Sequence, residues 1–143
     1  MILSTRSRYG ARLLFELAYN YGQGPVMLGD IAHRQNISEK YLSKIVLQLK
    51  SAGLINSHRG TNGGYELAKE PSLINMKEVV EVLEGGFTVA DCKGCKISRR
   101  CPTTAIWERL DRAIKITLEE ETLDKMVVDY KLKSGEGVLE YSI

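Results

Sequence analysis

Histidine is scarce in this sequence, and no catalytic constellation is built around it. The 143 residues hold two, His33 and His58, and neither stands in a pattern that implies a Ser-His-Asp or Cys-His pairing. The carboxylate run Glu119-Glu120-Glu121 reads as a solvated helix end rather than acid–base machinery. No enzyme is expected. Proline is equally sparse, with three residues, while 43% of the chain is hydrophobic and 27% charged. That is the composition of a soluble globular protein, too apolar for a disordered chain. Nowhere does an apolar run approach the roughly 18 residues of a membrane span. The opening Met1-Ile2-Leu3-Ser4-Thr5-Arg6 lacks the basic-then-apolar layout of a secretory signal. A cytoplasmic location and no membrane partner are therefore expected. Repeats and low-complexity tracts are missing too, and the length suits one ordinary domain with at most a small appendage.

Cysteine is also rare, but its placement is informative. Cys92, Cys95 and Cys101 crowd into ten residues of an otherwise cysteine-free chain. An odd number so arranged is a poor disulfide framework, and metal or redox chemistry fits it better. Charge is unevenly spread. Residues 1–69 carry nine Lys/Arg against four Asp/Glu, and residues 70–143 carry 11 against 14. A basic first half beside an acidic second half suits a polyanion partner, although a surface that is merely uneven gives the same count.

Hydrophobic spacing places the elements. From Ser7 to Tyr21, Leu13, Leu14, Leu17, Ala18 and Tyr21 fall at helical intervals, and Gly22 and Gly24 close the run. A short segment from Met27 to Gln35 turns Leu28, Ile31 and Ala32 inward and Asp30 outward. After a turn at Asn36 and Ile37, Ser38 is a good N-cap for a helix carrying Leu42, Ile45, Val46 and Leu49 inward, with Gly53 at its end. Two short helices joined by such a turn match a helix-turn-helix over residues 27–53. A plain helical hairpin with a solvated face matches as well. Glu39, Lys40, Tyr41, Ser43, Lys44 and Gln48 lie on the outer face of the second helix, able to approach phosphates and base edges.

The segment after this helix favours DNA. Leu54-Ile55-Asn56-Ser57 and Tyr65-Glu66-Leu67-Ala68 read as short strands, and Asn62-Gly63 between them signals a tight hairpin turn with positive φ. A glycine-rich hairpin directly after a candidate recognition helix is a wing. Arg59 at its tip, with no acidic residue before Gly64, suits a narrow, negative minor groove. Pro71 and Asn75 lead into a helix with Met76, Val79, Val80 and Leu83 inward, closed by Gly85-Gly86. The cysteine loop comes next, and Pro102-Thr103 start a long helix to about Glu121. Its stripe of Ile106, Trp107, Leu110, Ala113, Ile114 and Leu118 suits a symmetry mate, with an internal core helix as the alternative. The tail after Leu123 is mixed. Ser134 to Gly137 reads as a turn and Val138 to Ile143 as a strand.

In the loop, Cys92 and Cys95 at C-x2-C spacing can converge on one metal, with Cys101 near enough to close the site. Lys93, Lys96, Arg99 and Arg100 favour the thiolates. An iron–sulfur cluster, a zinc ion and a bare thiol switch all fit this spacing, zinc less well because a second ligand pair is missing.

Taken together, Ser4-Thr5-Arg6-Ser7-Arg8-Tyr9-Gly10, Ile37-Ser38-Glu39-Lys40-Tyr41-Leu42, Arg59-Gly60-Thr61-Asn62-Gly63-Gly64-Tyr65 and the cysteines before Thr104-Ala105-Ile106-Trp107 resemble the Rrf2 family of winged helix-turn-helix regulators, in particular its iron–sulfur cluster regulator (IscR-type) branch. The likeness spans roughly residues 1–125. It implies a mainly α fold with a small β-hairpin wing and a long C-terminal dimerisation helix. It further implies a homodimer on double-stranded operator DNA, its affinity tuned by an iron–sulfur cluster that senses iron–sulfur, redox or nitric oxide status. By that likeness residues 1–85 form the DNA-binding domain, 86–102 the cluster loop and 103–143 the dimerisation helix and tail. The DNA contacts expected are Arg6, Ser38, Glu39, Lys40, Tyr41, Ser43, Lys44, Arg59 and Gly60. The ligands expected are Cys92, Cys95 and Cys101, holding 2Fe–2S in preference to 4Fe–4S, with zinc as the alternative. The match carries three departures, at four positions. A family histidine three residues past the last cysteine is Thr104 here, ligand positions on the first helix are Arg8 and Arg12, and a recognition-helix glutamate is Ser43. The tail from Lys131 looks more like the cysteine-metabolism regulators of the same family, which lack the cysteines. A zinc- or thiol-based regulator, a cysteine-metabolism regulator and, more remotely, a cluster carrier are the competing readings.

Overall fold

Periodicity and capping together account for nearly every element of the computed structural model, which describes residues 3–135. Helix α1, Thr5–Tyr19, begins where the Ser4 hydroxyl accepts the Ser7 amide at 3.2 Å. It buries Leu13, Leu14, Leu17 and Ala18 as expected, but it does not reach Tyr21. Asn20 closes it, donating from both backbone and side chain to the Glu16 carbonyl, and Tyr21 stands 46% exposed beyond the end. Helix α2, Leu28–Gln35, buries Ile31 fully, with Leu28 and Ala32 half-buried beside it. Asn36 at φ 53° then reverses the chain, a left-handed conformation asparagine tolerates better than other side chains. The Ser38 hydroxyl accepts the Tyr41 amide at 3.3 Å and opens α3, Glu39–Ser51, whose Leu42, Ile45, Val46 and Leu49 are all buried.

Strands β1, Ile55–His58, and β2, Gly64–Leu67, pair antiparallel, Ile55 opposite Leu67 and His58 opposite Gly64. Each strand is offset by one residue from its expected bounds, and the turn differs from the expected one. Asn62-Gly63 does not supply the positive φ; Gly60 (φ 102°) and Gly64 (φ 146°) do, across a five-residue connection closed by Gly63 N–H donating to the Gly60 carbonyl at 3.0 Å. Gly64 is required for a second reason. Val26 and Tyr65 exchange two 2.8 Å backbone hydrogen bonds, and a Cβ on Gly64 would collide with the Val26 carbonyl. The wing is thus stitched to the segment just ahead of α2.

Helix α4, Met76–Glu84, is capped by Asn75 and ended by Gly85 in the left-handed region. Helix α5 runs Thr104–Glu120 and buries none of its residues. A sixth helix, α6 over Leu123–Lys133, occupies the stretch that reads as mixed from sequence. Its Leu123 is fully buried, and Met126 and Val127 pack on the same core. The entry to α6 is held by Met76 N–H to the Glu121 carbonyl at 2.8 Å and Leu123 N–H to the Ile74 carbonyl at 3.0 Å. Ser134 and Gly135 form a turn, and the strand expected at 138–143 lies outside the described residues.

The core gathers Leu13, Leu14 and Leu17 of α1, Ile31 of α2, Leu42, Ile45 and Leu49 of α3, and Leu83 of α4. Fully burying one such side chain contributes about 1.5–3 kcal/mol. Gly10 lets α1 cross α4 closely, because a Cβ there would strike Leu83 Cδ1. The result holds α3 with its polar face turned out and the wing beside it.

Candidate nucleic-acid interface and metal centre

The buried row of α3 fixes what its other side presents. Lys40 and Lys44 are exposed and join no ion pair among the described residues. Arg59 and Gly60 are exposed at the tip of the wing, and Arg59 too has no ionic partner there. These are free positive charges on adjacent elements. The other expected contacts are partly occupied. Ser38 holds the N-cap, and the Ser43 hydroxyl donates back to the Glu39 carbonyl at 2.9 Å. The Glu39 carboxylate leans over Gly29 at the start of α2. Tyr41 is half-buried, its ring edge-on to Tyr9 with centroids 5.7 Å apart. Arg6 is exposed at the start of α1, with Nη1 donating to the Leu83 carbonyl at 3.3 Å. Gln48 is half-buried.

Two groups that sequence reasoning passed over hold this surface in place. Glu16 is 6% exposed, and accepts from Arg34 Nε at 3.0 Å and Gln35 Nε2 at 2.7 Å. Arg12 donates to the Gln35 side chain at 2.9 Å and also to its carbonyl. A buried carboxylate without such partners would be costly, so the set locks α1 to the C-terminal end of α2. The second group sits at Glu84. Its Oε1 accepts from Ser4 N–H at 3.0 Å, the Ser4 hydroxyl at 2.6 Å and the Ser7 hydroxyl at 2.5 Å. The two serine hydroxyls, Ser4 foremost, hold the Glu84 carboxyl below its ordinary value. Ser4 and Glu84 stand 80 residues apart in the chain, and a pairing so distant leaves no periodic trace.

In the cysteine loop, Cys95 N–H donates to the Cys92 carbonyl at 3.2 Å. That turn sets the two residues at its ends, within roughly 7 Å of each other. A 3-10 turn over Ser98–Arg100 comes next, and Cys101 meets the Thr103 hydroxyl at 3.2 Å. Hydrogen bonds from Thr103, side chain first, and from Thr104 pull the Cys101 thiol down to about 7. Cys92 and Cys101 are half-buried and Cys95 is exposed, and none is in a disulfide. Among the described residues no three Cys, His, Asp or Glu side chains stand as a ready ligand set. The loop therefore does not bring its thiols into final coordination positions. The donor chemistry nevertheless fits an iron–sulfur cluster, with three thiols on one short loop beside Lys93, Lys96, Arg99 and Arg100. Thr104, at the position of the family histidine, donates to the Ser98 carbonyl at 3.2 Å, and Arg8 and Arg12 are bonded to Thr5 and Gln35. None of these side chains offers a fourth ligand.

Both ends of the loop are tied to α5. Val89 N–H donates to Asp111 Oδ1 at 3.0 Å, while Lys115 pairs with Asp111 Oδ2 at 2.7 Å. These partners, Lys115 first, keep the Asp111 carboxyl below its ordinary value. Between loop and helix lies an open cleft of about 950 Å³, with Cys92, Phe87 and Trp107 in its walls.

A three-helix core with a recognition helix and a β-hairpin beside it defines a winged-helix transcriptional regulator, and relatives agree. The chain matches the Rrf2 family, described as iron-dependent transcriptional regulators, across residues 3–129, and it belongs to that family. It is 35% identical over 140 residues to the HTH-type transcriptional regulator IscR of Escherichia coli O1:K1, covering 96% of this chain and 86% of that protein. The solved structure of T. potens IscR aligns with a TM-score of 0.78 at 37% identity, over 91% of this chain and 88% of that one. The structure of CymR, the global cysteine regulator of B. subtilis, aligns at 0.79 and 36% identity, over 90% and 97%. No helix among the described residues is long and apolar enough to cross a membrane.

Proposed function

We propose that this chain is a homodimeric operator-binding regulator whose DNA affinity is set by an iron–sulfur cluster at the cysteine loop. One observation carries the reading: three thiols sit on a solvent-facing loop whose two ends are hydrogen-bonded to, or continuous with, α5. Residues 1–85 bind the DNA, 86–102 hold the cluster and 103–143 supply the dimer contact. Lys40, Lys44 and Arg59 contribute free positive charge to the phosphates and the minor groove, while Arg6, Ser38 and Gly60 fix the approach. Glu39, Tyr41 and Ser43 lie nearest the start of the recognition helix, where base edges are met.

Cys92, Cys95 and Cys101 would hold the cluster, 2Fe–2S in preference to 4Fe–4S. When bound, it supplies an iron centre responsive to iron–sulfur, redox and nitric oxide status. Thr104, Arg8 and Arg12 offer no fourth ligand, so a bound cluster would take its fourth ligand from solvent, a small thiol or another residue. Ordering the loop acts on Pro102 and the first turn of α5, and through its exposed Ile106, Leu110 and Ala113 on the spacing of the two DNA-binding units. Such coupling is typically about 1–3 kcal/mol, roughly 5–150-fold in affinity.

A second reading has its own support. The likeness to CymR is as strong as that to IscR, which supports a cysteine-metabolism regulator of the same family; a zinc- or thiol-based redox regulator is the other alternative to a cluster. One experiment separates the readings. Protein purified anaerobically is assayed for visible absorption, iron, sulfide and zinc, and then titrated on a selected operator beside apo-protein and Cys101→Ala. Iron and sulfide with unequal affinities support the proposal. Zinc without iron or sulfide supports a zinc-based regulator, and three equal affinities overturn control through the cysteine loop.

A further inference from the structure

Leu47 was not among the expected contacts, yet it stands in the middle of the outward face of α3 and is 66% exposed. The buried row of Leu42, Ile45, Val46 and Leu49 defines the inward direction. At 100° per residue, Lys40, Lys44, Leu47 and Ser51 fall opposite it. All four are exposed. A lone exposed leucine needs no explanation on most surfaces. This one shares its ridge with two lysines that have no ionic partner among the described residues, so the surface around it suits a polyanion. A leucine can neither donate nor accept a hydrogen bond, and in a major groove the one apolar feature it can meet is the C5-methyl group of thymine.

Resting on the proposed DNA binding by α3, we propose that Leu47 is a specificity-determining residue that reads a thymine methyl group in the operator. Lys44, one turn before Leu47, and Lys40, two turns before it, hold the helix against the phosphates. Leu47 then adds a local demand for thymine at the base pair beneath it.

The test begins with selection of the preferred duplex from a random pool by wild-type protein. Each thymine of that duplex is then replaced in turn by deoxyuridine, which keeps the pairing edge and removes only the methyl. Wild-type protein is expected to lose about fourfold in affinity at one position per half-site, the equivalent of one buried methyl group. Leu47→Ala is expected to bind thymine and uracil duplexes alike at that position, with an unchanged salt dependence. Leu47→Met should retain the discrimination. Thermal unfolding and sedimentation of each variant accompany the titrations. If wild type is indifferent to uracil at every position, or Leu47→Ala discriminates as wild type does, the proposal is overturned. It is overturned equally if Leu47→Ala changes the oligomeric state, since the leucine would then be a subunit contact. A wild-type protein that selects no duplex at all refutes the DNA-binding reading itself, a result distinct from these.

Discussion

Replacing Glu84 by alanine breaks a link that joins the first turn of α1 to the last turn of α4. Three donors converge on Glu84 Oε1, at 2.5–3.0 Å, and one of them, Ser7, is 2% exposed. Hydrogen bonds to a charged acceptor contribute about 1.5–3 kcal/mol when sheltered. The Glu84 carboxylate is only half-buried and keeps part of its water, so the bonds together contribute about 1 kcal/mol. A Ser7 hydroxyl left buried without its acceptor adds about 1 kcal/mol. The expected loss is about 2 kcal/mol, roughly 4–8 °C in Tm for a chain of this length. The pH dependence gives an independent check. The folded-state pKa of Glu84 is lowered by the serine hydroxyls, so its contribution is fully present above the ordinary value of 4.5. It is lost as pH falls through the lowered folded value. Urea unfolding of wild type and Glu84→Ala at pH 7 should differ by the full amount, and the gap should narrow to about half at strongly acidic pH, where the charge-assisted part is lost and the stranded Ser7 hydroxyl remains. Glu84→Gln should fall between them at pH 7. A wild-type midpoint for Glu84→Ala at pH 7, or a gap that stays constant into acid, would refute this account of the link.

Other perturbations have equally definite outcomes. Arg59→Ala should weaken binding to a selected operator by about 1–3 kcal/mol, while Lys133→Ala, in an exposed pair with Asp129 near the end of α6, should leave fluorescence-anisotropy titrations unchanged. Leu110→Glu places a charge in the exposed apolar face of α5; sedimentation should show wild-type dimers and mutant monomers at micromolar concentration, and a monomeric wild type would contradict the dimer. Asp111→Ala removes the acceptor of the Val89 amide, so hydrogen exchange at Val89 should accelerate about tenfold or more while amides in α3 keep their rates.

Legibility tracks the kind of interaction. The row Leu42, Ile45, Val46, Leu49 and the row Val79, Val80, Leu83 are readable because a buried helix face repeats every few residues, and both are buried as expected. Ser38 and Asn75 are readable as starts because capping is local. Helix α6 carries the same signal in Leu123, Met126, Val127 and Tyr130, but Val128 and Leu132, exposed on its other side, obscure the pattern. The hairpin is foreseeable from Asn62-Gly63, yet its geometry is set by the approach of Val26 to Gly64, a contact no dipeptide encodes. The same holds for the site. The cationic positions and the cysteines are matters of residue type, whereas the couplings that hold them, Glu84 to Ser4 and Asp111 to Val89, join residues far apart in the chain.

Helix α5 is clamped to the core at its far end. The paired backbone bonds between Ile74-Met76 and Glu121-Leu123 act as a pivot, because they bind the helix exit to the core. From that pivot its 17 residues reach about 25 Å to the cysteine loop. A rod held in this way magnifies small angles. A tilt of about 5° carries its other end about 2 Å, comparable to the helix shifts that switch subunit interfaces. The loop thus meets α5 at the end farther from this pivot, where any given tilt of the helix produces its largest displacement.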